Sequence, residues 1–299
     1  MDRSEVSEID AVEFEELLLV AQREDLGEAG DVTTQLLPES FPAEGLWEIA
    51  ARMPGVICGI TLLPKMLHVL CPGVTLQATL VQDGGQAKAG EVVARLKGNT
   101  REMLGAERTL LNILQHLSGV ATLTSQFVEA VRGTGAKIFD TRKTLPGLRK
   151  LEKYAVRCGG GFNHRAGLYD AVLIKDNHLG GIGRERIGHA VFEMLNKLGT
   201  LARPPSFVEV ECDSLDQLSA LLRIVGIDVI LLDNFRTDDL REAVALRDAA
   251  GLRGKVALEA SGGITLENVR EVAETGVERI AVGAITHSAP ALDLGLDAI

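Results

Sequence analysis

Four cations stand where a folded chain could aim them at one point: Arg142, Lys143, Arg165 and Lys175. Each lies at or just beyond the end of a strand-forming segment, flanked by small and turn-forming residues. An arginine grips a carboxylate or phosphate with two parallel hydrogen bonds, and a lysine acts as a compact point charge. Cations gathered in one place repel one another unless a multiply charged anion binds among them. Residues 137–175 hold nine basic side chains against three acidic ones, in a chain whose formal net charge is −11. A basic island in an acidic protein implies a focused anion site. The overall sign argues against general nucleic-acid binding, which needs basic surface to neutralise phosphates. Arg149, Lys150 and Lys153, in the same stretch, read as a solvated helix face.

Carboxylates and glycines add a second layer. Glu209 and Glu211 are two apart on one predicted strand, so they face the same side. Asp233 ends the next strand. Carboxylates beside anionic phosphates point to Mg²⁺ held between them, directly or indirectly. The other reading is buried ion pairs with Lys143 or Lys175. Both remain open for Glu211 and Asp233, and the ion pair is favoured for Glu209. Ser261-Gly262-Gly263 follows a predicted strand and precedes a helix, and Gly283-Ala284 follows the last strand. Glycines let backbone N–H groups approach a phosphate, and barrel enzymes use the loops after their last strands for this purpose. His164 adjoins Arg165 in a loop that opens with Gly159-Gly160-Gly161. It could donate to a ligand carboxylate, act in proton transfer, or cap local structure. Asn177 and His178 could bind ligand or simply orient their loop.

These residues need a scaffold. With 299 residues, 46% of them hydrophobic, the chain can build two domains, with aliphatic side chains supplying most of the core because aromatics are only 4%. Cys58, Cys71, Cys158 and Cys212 show no CxxC pair or zinc-like spacing and are expected as free thiols. The acidic start lacks the pattern of a secretory signal, and no apolar run reaches a bilayer-spanning length. The expectation is a cytoplasmic, soluble protein. In the first third, a helix is predicted over 11–24, a capped turn at Asp31, strand-turn-strand over 46–60, and a hairpin over 74–96 turning at Gly90. A helix follows over 100–132, broken or bent near Ser118-Gly119. Strands are then predicted at 136–140, 170–174, 206–211, 228–232, 255–259 and 279–282. Amphipathic helices, such as 213–224, 237–249 and 266–275, fall between most of them. Such alternation implies parallel strands with crossover helices. Six chemically loaded strand ends favour a barrel, whose strand ends converge at one mouth, over a flat sheet.

Several segments, taken in order, carry a family likeness: EDLGEAGDVTT (24–34), ERTLLNILQHLSGVAT (107–122), TRKTLPGLRKLEKYAV (141–156), GGGFNHR (159–165), LIKDNH (173–178), VEVE (208–211), LLDNF (231–235) and EASGGI (259–264). Together they resemble the quinolinate phosphoribosyltransferases. The resemblance implies an N-terminal α/β sandwich domain (1–125), an open or incomplete α/β barrel of about six to seven βα units (126–289), and a C-terminal tail (290–299) packing back on the first domain. It implies a homodimer with shared active sites, or a higher oligomer, in which Arg108 reaches the partner's quinolinate. Arg142, Lys143, His164, Arg165 and Lys175 match the family's cationic pocket. Glu211 and Asp233 match its acidic residues near Mg²⁺ and the ribose. Ser261, Gly262, Gly263, Gly283 and Ala284 match the loops around the 5-phosphate. Lys143, Lys175, Glu211 and Asp233 are the residues expected to carry catalysis. The implied reaction joins quinolinate to the phosphoribosyl group of phosphoribosyl pyrophosphate with loss of CO2. Rival readings are a related phosphoribosyltransferase for another aromatic acceptor, a Schiff-base aldolase using Lys175, and a phosphate-ligand sensor without turnover.

Overall fold

The computed structural model describes residues 11–183 and 186–299. The first ten residues of the acidic N-terminus therefore lie outside the described residues. The chain divides into two compact units, Met1–Ser125 with Thr144–Gly160 and Ile285–Ile299, and Gln126–Lys143 with Gly161–Ala284.

In the first unit, helix α1 (Ala11–Leu26) buries Phe14 and Leu18. The one-turn α2 (Val32–Gln35) exists because the Asp31 carboxylate accepts hydrogen bonds from the Thr33 and Thr34 amides, each at 3.0 Å. Strands β1 (Glu44–Ala51), β3 (Val74–Thr79), β5 (Val92–Asn99) and β12 (Leu294–Ala298) form a four-stranded sheet in the order β12-β1-β5-β3. All its pairings are antiparallel, so β3 and β5 form the expected hairpin. Their connection carries the two-residue β4 (Gln86–Ala87), which pairs with β2 (Gly55–Val56). The last strand lies along β1, with Ala298 opposite Trp47.

Helix α3 (Leu63–Leu70) precedes the hairpin, and α4 (Thr100–Ala130) follows it. The Asn99 side chain caps α4 by accepting from the amides of Arg101 and Glu102 at 3.0 and 3.1 Å. Met103, Ala106, Leu110, Leu114, Leu117 and Ala121 recur at helical spacing and are buried. No break occurs at Ser118-Gly119, contrary to expectation, because α4 is continuous over 31 residues. Gly119 is needed there for a close approach: a Cβ at this position would lie 2.1 Å from the Pro290 carbonyl oxygen. Ser118 is spoken for by the Cys58 amide, which donates to its Oγ at 3.0 Å. Helix α5 (Arg149–Cys158) also belongs to this unit. Its basic residues do not form a solvated face: Lys150 pairs with Glu13 at 2.6 Å, but Lys153 is buried and Arg149 donates to Thr144 at 3.0 Å. The helix turns Lys153 inward along with Glu152, and only a pattern read as purely amphipathic suggested otherwise.

The second unit holds six short strands: β6 (Lys137–Phe139), β7 (Val172–Ile174), β8 (Val208–Cys212), β9 (Val229–Asp233), β10 (Ala257–Ser261) and β11 (Arg279–Ala281). All neighbours are parallel, in the order β6-β11-β10-β9-β8-β7. That is the cyclic order of a barrel; among the described residues β6 and β7 do not pair, and Phe162, in the loop between them, makes an isolated parallel bridge with Phe139 of β6. Strands β7 and β9 read as continuous apolar runs up to their polar ends because both faces are covered, whereas β8 and β10 carry buried or nearly buried carboxylates among their apolar residues. Val229, Ile230, Leu231 and Leu232 are all buried, and each such side chain contributes about 1.5–3 kcal/mol. Helices α6 (Ile187–Leu195), α7 (Leu215–Leu221), α8 (Thr237–Ala249) and α9 (Val269–Ala273) lie in the crossovers, and α10 (Ala284–His287) begins directly after the last strand's loop. Among the described residues, no helix is long and apolar enough to cross a membrane.

Candidate active site

In a parallel sheet curled toward closure, the C-terminal strand ends face one mouth. Here they deliver Asp140 after β6, Lys175 after β7, Glu211 on β8, Asp233 on β9, Ser261 on β10 and Gly283 after β11. The register sets Asp233 directly beside Ser261.

The structure joins several of the predicted residues. Lys175 is ion-paired with Glu211, which is nearly buried while the lysine is part-exposed. Arg142 and Arg165 lie close enough that the Arg142 charge, after burial, helps draw the Arg165 pKa below its usual value. Arg165 is 7% exposed, its Nη1 donating to the Ala171 carbonyl at 3.3 Å. The Nε of Arg142 is buried with no hydrogen-bond partner. Two neighbouring guanidiniums, one with a bare donor, suit a bound anion better than a self-satisfied fold. Lys143 is exposed beside them in sequence, its amide donating to Thr141 Oγ1 at 3.0 Å.

The His164 ring is held by carboxylates on β8 and β10. It is buried, with Nε2 2.7 Å from Glu209 Oε2 and 3.5 Å from Glu259 Oε1. Asp140, wholly buried, organises this loop: its carboxylate accepts from the His164 amide and the Asn163 side chain, each at 2.7 Å. Glu209 is thus paired with a histidine and not with Lys143 or Lys175. His178 accepts the Lys175 amide hydrogen bond on Nδ1 at 2.9 Å, so it orients the loop.

The glycine loop is built against the neighbouring strand end. Gly262 and Gly263 have φ of +93° and +61°. Asn234 stands at φ +56°, the one non-glycine residue with positive φ among the described residues, and its amide donates to the Ser261 carbonyl at 2.8 Å. A Cβ on Gly262 would sit 2.1 Å from Asn234 Oδ1. The helix after this loop starts only at Val269; Asn268 first ties the turn by accepting from the Thr265 amide and donating to the Gly263 carbonyl, both at 2.8 Å. Gly283 and Ala284 lead into α10 and are half-buried. Arg108 belongs to the other compact unit, exposed on α4, where it lines a shallow cleft of about 170 Å³ with Glu24, Asp25 and Asn112.

Both halves of the chain match family models. The description "Quinolinate phosphoribosyl transferase, N-terminal domain" covers residues 31–118, and its C-terminal counterpart covers 120–297. The chain belongs to the quinolinate phosphoribosyltransferase family. Among relatives of that family, the nicotinate-nucleotide pyrophosphorylase [carboxylating] of Mycobacterium leprae is 46% identical over 280 residues, covering 93% of this chain and 94% of its own. A probable nicotinate-nucleotide pyrophosphorylase of Bacillus subtilis is 40% identical, covering 92% of this chain and 89% of its own. The solved nicotinate-nucleotide pyrophosphorylase from Francisella tularensis superimposes with a TM-score of 0.86 at 36% identity, over 99% of each chain. The open barrel and the sheet-bearing N-terminal unit are thus the architecture the resemblance implied.

Two residues to which the sequence assigns no role are central in the structure. Glu259 and Arg279 lie in neighbouring strand register, and Arg279 Nε donates to Glu259 Oε2 at 2.6 Å. The signal was present: each is a charge on a strand of mainly small and apolar residues, Glu259 within β10 and Arg279 opening β11, where an unpaired buried charge is not tolerated.

Proposed function

We propose that this enzyme transfers the phosphoribosyl group of phosphoribosyl pyrophosphate to quinolinate, releasing pyrophosphate and CO2 and forming nicotinate mononucleotide for NAD biosynthesis. Likeness over 92–93% of this chain to nicotinate-nucleotide pyrophosphorylases named as carboxylating supports it. The observation that carries it is the paired Arg142 and Arg165 at a barrel mouth that also bears Lys175 and a glycine loop. Quinolinate brings two adjacent carboxylates, which answer two guanidiniums; a monocarboxylate needs fewer cations.

The chemistry follows from the charges. The pyridine nitrogen attacks ribose C1 as the bond from C1 to pyrophosphate breaks. Positive charge develops at C1, and a nearby carboxylate, Glu211 or Asp233, stabilises it. The product ring is a quaternised pyridinium, which accepts the electron pair left when the 2-carboxylate departs as CO2; a proton then takes its place on the ring. Lys143, Lys175 and the Ser261–Gly263 and Gly283–Ala284 loops hold the phosphates. Catalysis is chiefly positioning and charge complementarity.

Mg²⁺ fits as a substrate-borne ion. Glu211 and Asp233 offer hard oxygen ligands on adjacent strands, yet Glu211 is already paired with Lys175 and Asp233 accepts from the Asn234 side chain at 2.7 Å. Two carboxylates without a third suit Mg²⁺ held mainly by phosphates and water. When bound, the ion neutralises the leaving pyrophosphate. We further read the active enzyme as a cytoplasmic homodimer in which Arg108 completes the partner's site. An aldolase using Lys175 fits less well, since that lysine is engaged with Glu211. The test is incubation with quinolinate, phosphoribosyl pyrophosphate and Mg²⁺, with nicotinate replacing quinolinate in parallel. Nicotinate mononucleotide from quinolinate alone is expected; none from quinolinate overturns the reading.

A further inference from the structure

Beneath the cationic residues lies a polar cluster with no part in the chemistry just described. His164, Glu209 and Glu259 are buried together, their ligand-type atoms within 4.8 Å of one another. Arg279 closes the cluster through its bond to Glu259. Its guanidinium lies over the Phe139 ring at 3.9 Å and near Phe207 at 5.5 Å, and His164 meets Phe207 edge-on at 5.4 Å. The walls are therefore aromatic. A metal ion is a poor occupant, because Arg279 already supplies the positive charge at hydrogen-bond distance from Glu259.

The hydrogen bonds fix the imidazole. The Arg165 amide donates to His164 Nδ1 at 2.7 Å, and a backbone N–H can only donate. Nδ1 is therefore without a proton, and Nε2 carries it toward Glu209 at 2.7 Å. The same ring nitrogen that accepts from residue 165 is thus tied to the peptide bearing the Arg165 side chain. Asp140 holds the preceding peptide through the His164 amide. Glu209 Oε1, Glu259 Oε1 and Arg279 Nη2 are each buried with no hydrogen-bond partner. Buried charge left this incompletely satisfied costs stability, and such costs are retained where they serve a site.

We propose that Glu209 and Glu259, backed by Arg279, are positioning residues: they hold His164 as the neutral Nε2–H tautomer and through it fix Arg165 for a substrate carboxylate. The tautomer half stands on geometry alone, and the substrate half rests on the function proposed above.

The test uses the full-length protein labelled with ¹⁵N-histidine. His164 is one of six histidines, and its signals are those lost in His164→Gln. The expected spectrum shows an unprotonated Nδ1 and a protonated Nε2. Glu209→Leu removes the acceptor; it is expected to mix the tautomers and raise the KM for quinolinate about tenfold, with a smaller change for phosphoribosyl pyrophosphate. Glu209→Gln keeps an acceptor oxygen and is expected to recover the tautomer and most of the lost affinity. Glu259→Gln serves as a second variant where Glu209→Leu does not fold. A protonated Nδ1 in the unaltered protein overturns the proposal, as does an unchanged quinolinate KM in folded Glu209→Leu. Absence of any turnover by the unaltered protein instead defeats the function reading, while the spectrum still reports on the cluster.

Discussion

Replacing Gly262 by alanine probes how the glycine loop is held. The residue stands at φ +93°, where an L side chain is strained by roughly 1–2 kcal/mol. The new Cβ would meet Asn234 Oδ1 at 2.1 Å, Cγ at 2.6 Å and the Asn234 backbone nitrogen at 3.0 Å. The side-chain clash can be relieved by rotation, but the contact with backbone cannot, and overpacking of this kind costs about 1–3 kcal/mol. The sum is about 2–5 kcal/mol. Asn234 has little freedom to retreat, being itself at positive φ with its amide bonded to the Ser261 carbonyl. The shift is therefore expected to displace Asp233, one residue away, and to weaken use of phosphoribosyl pyrophosphate more than of quinolinate. Urea titration should show a lower midpoint at unchanged slope, and steady-state kinetics should show the KM asymmetry. Adding Asn234→Gly, which removes the Oδ1 and Cγ contacts, should recover only the side-chain part of the clash, leaving the backbone contact at 3.0 Å and the strain at residue 262. Stability within about 0.5 kcal/mol of the parent in Gly262→Ala would refute the reasoning.

Four further expectations follow from the geometry. Lys175→Met and Glu211→Gln, being direct partners, should be non-additive: the double variant should lose less than the two single losses combined, by at least about 0.5 kcal/mol in a double-mutant cycle on kcat/KM. Arg247 is 1% exposed, donates to the Val256 carbonyl at 2.8 Å and pairs with Asp248 and Glu278, so Arg247→Met should lower the urea-derived stability by about 2–3 kcal/mol while leaving KM values unchanged. Burial, and then the charge of Glu209, push the Glu259 carboxyl up to about 7 against the pull of Arg279. The native state then holds a proton that the unfolded chain releases, so stability should fall as pH rises from about 4.5 to 7, by on the order of 3 kcal/mol, and Glu259→Gln should flatten that slope in urea titrations. Arg108→Ala and Lys143→Ala should each abolish quinolinate use, and mixing the two should restore activity if sites are shared; no recovery in demonstrated heterodimers counts against the cross-subunit arginine.

Much of the barrel was legible because its strands are short apolar runs punctuated by polar ends. VILLD over 229–233 announces both the strand and the residue it delivers. The cations were legible because charge is conspicuous where turns begin, as in Thr141-Arg142-Lys143. What a side chain does after leaving its strand was harder to read. The sequence leaves ligand donation, proton transfer and local capping open for His164, because its ring is held from both sides by neighbours 1 and 45 residues away in sequence. Glu259 and Arg279 were invisible as a pair because their contact depends on strand register, which no local pattern encodes. Gly119 suggests a break or bend in the helix, but its cause is the distant chain at Pro290, which no local pattern encodes. The charges of α5 suggest a solvated face, but the fold buries Lys153 beside Glu152.

The most direct measurement follows the fate of one carbon. Quinolinate labelled with ¹³C in its 2-carboxylate, supplied with phosphoribosyl pyrophosphate and Mg²⁺, should yield labelled CO2 in equal amount to pyrophosphate, and unlabelled nicotinate mononucleotide. Pyrophosphate released without labelled CO2, or a nucleotide retaining the label, would contradict the assignment of a decarboxylating transferase.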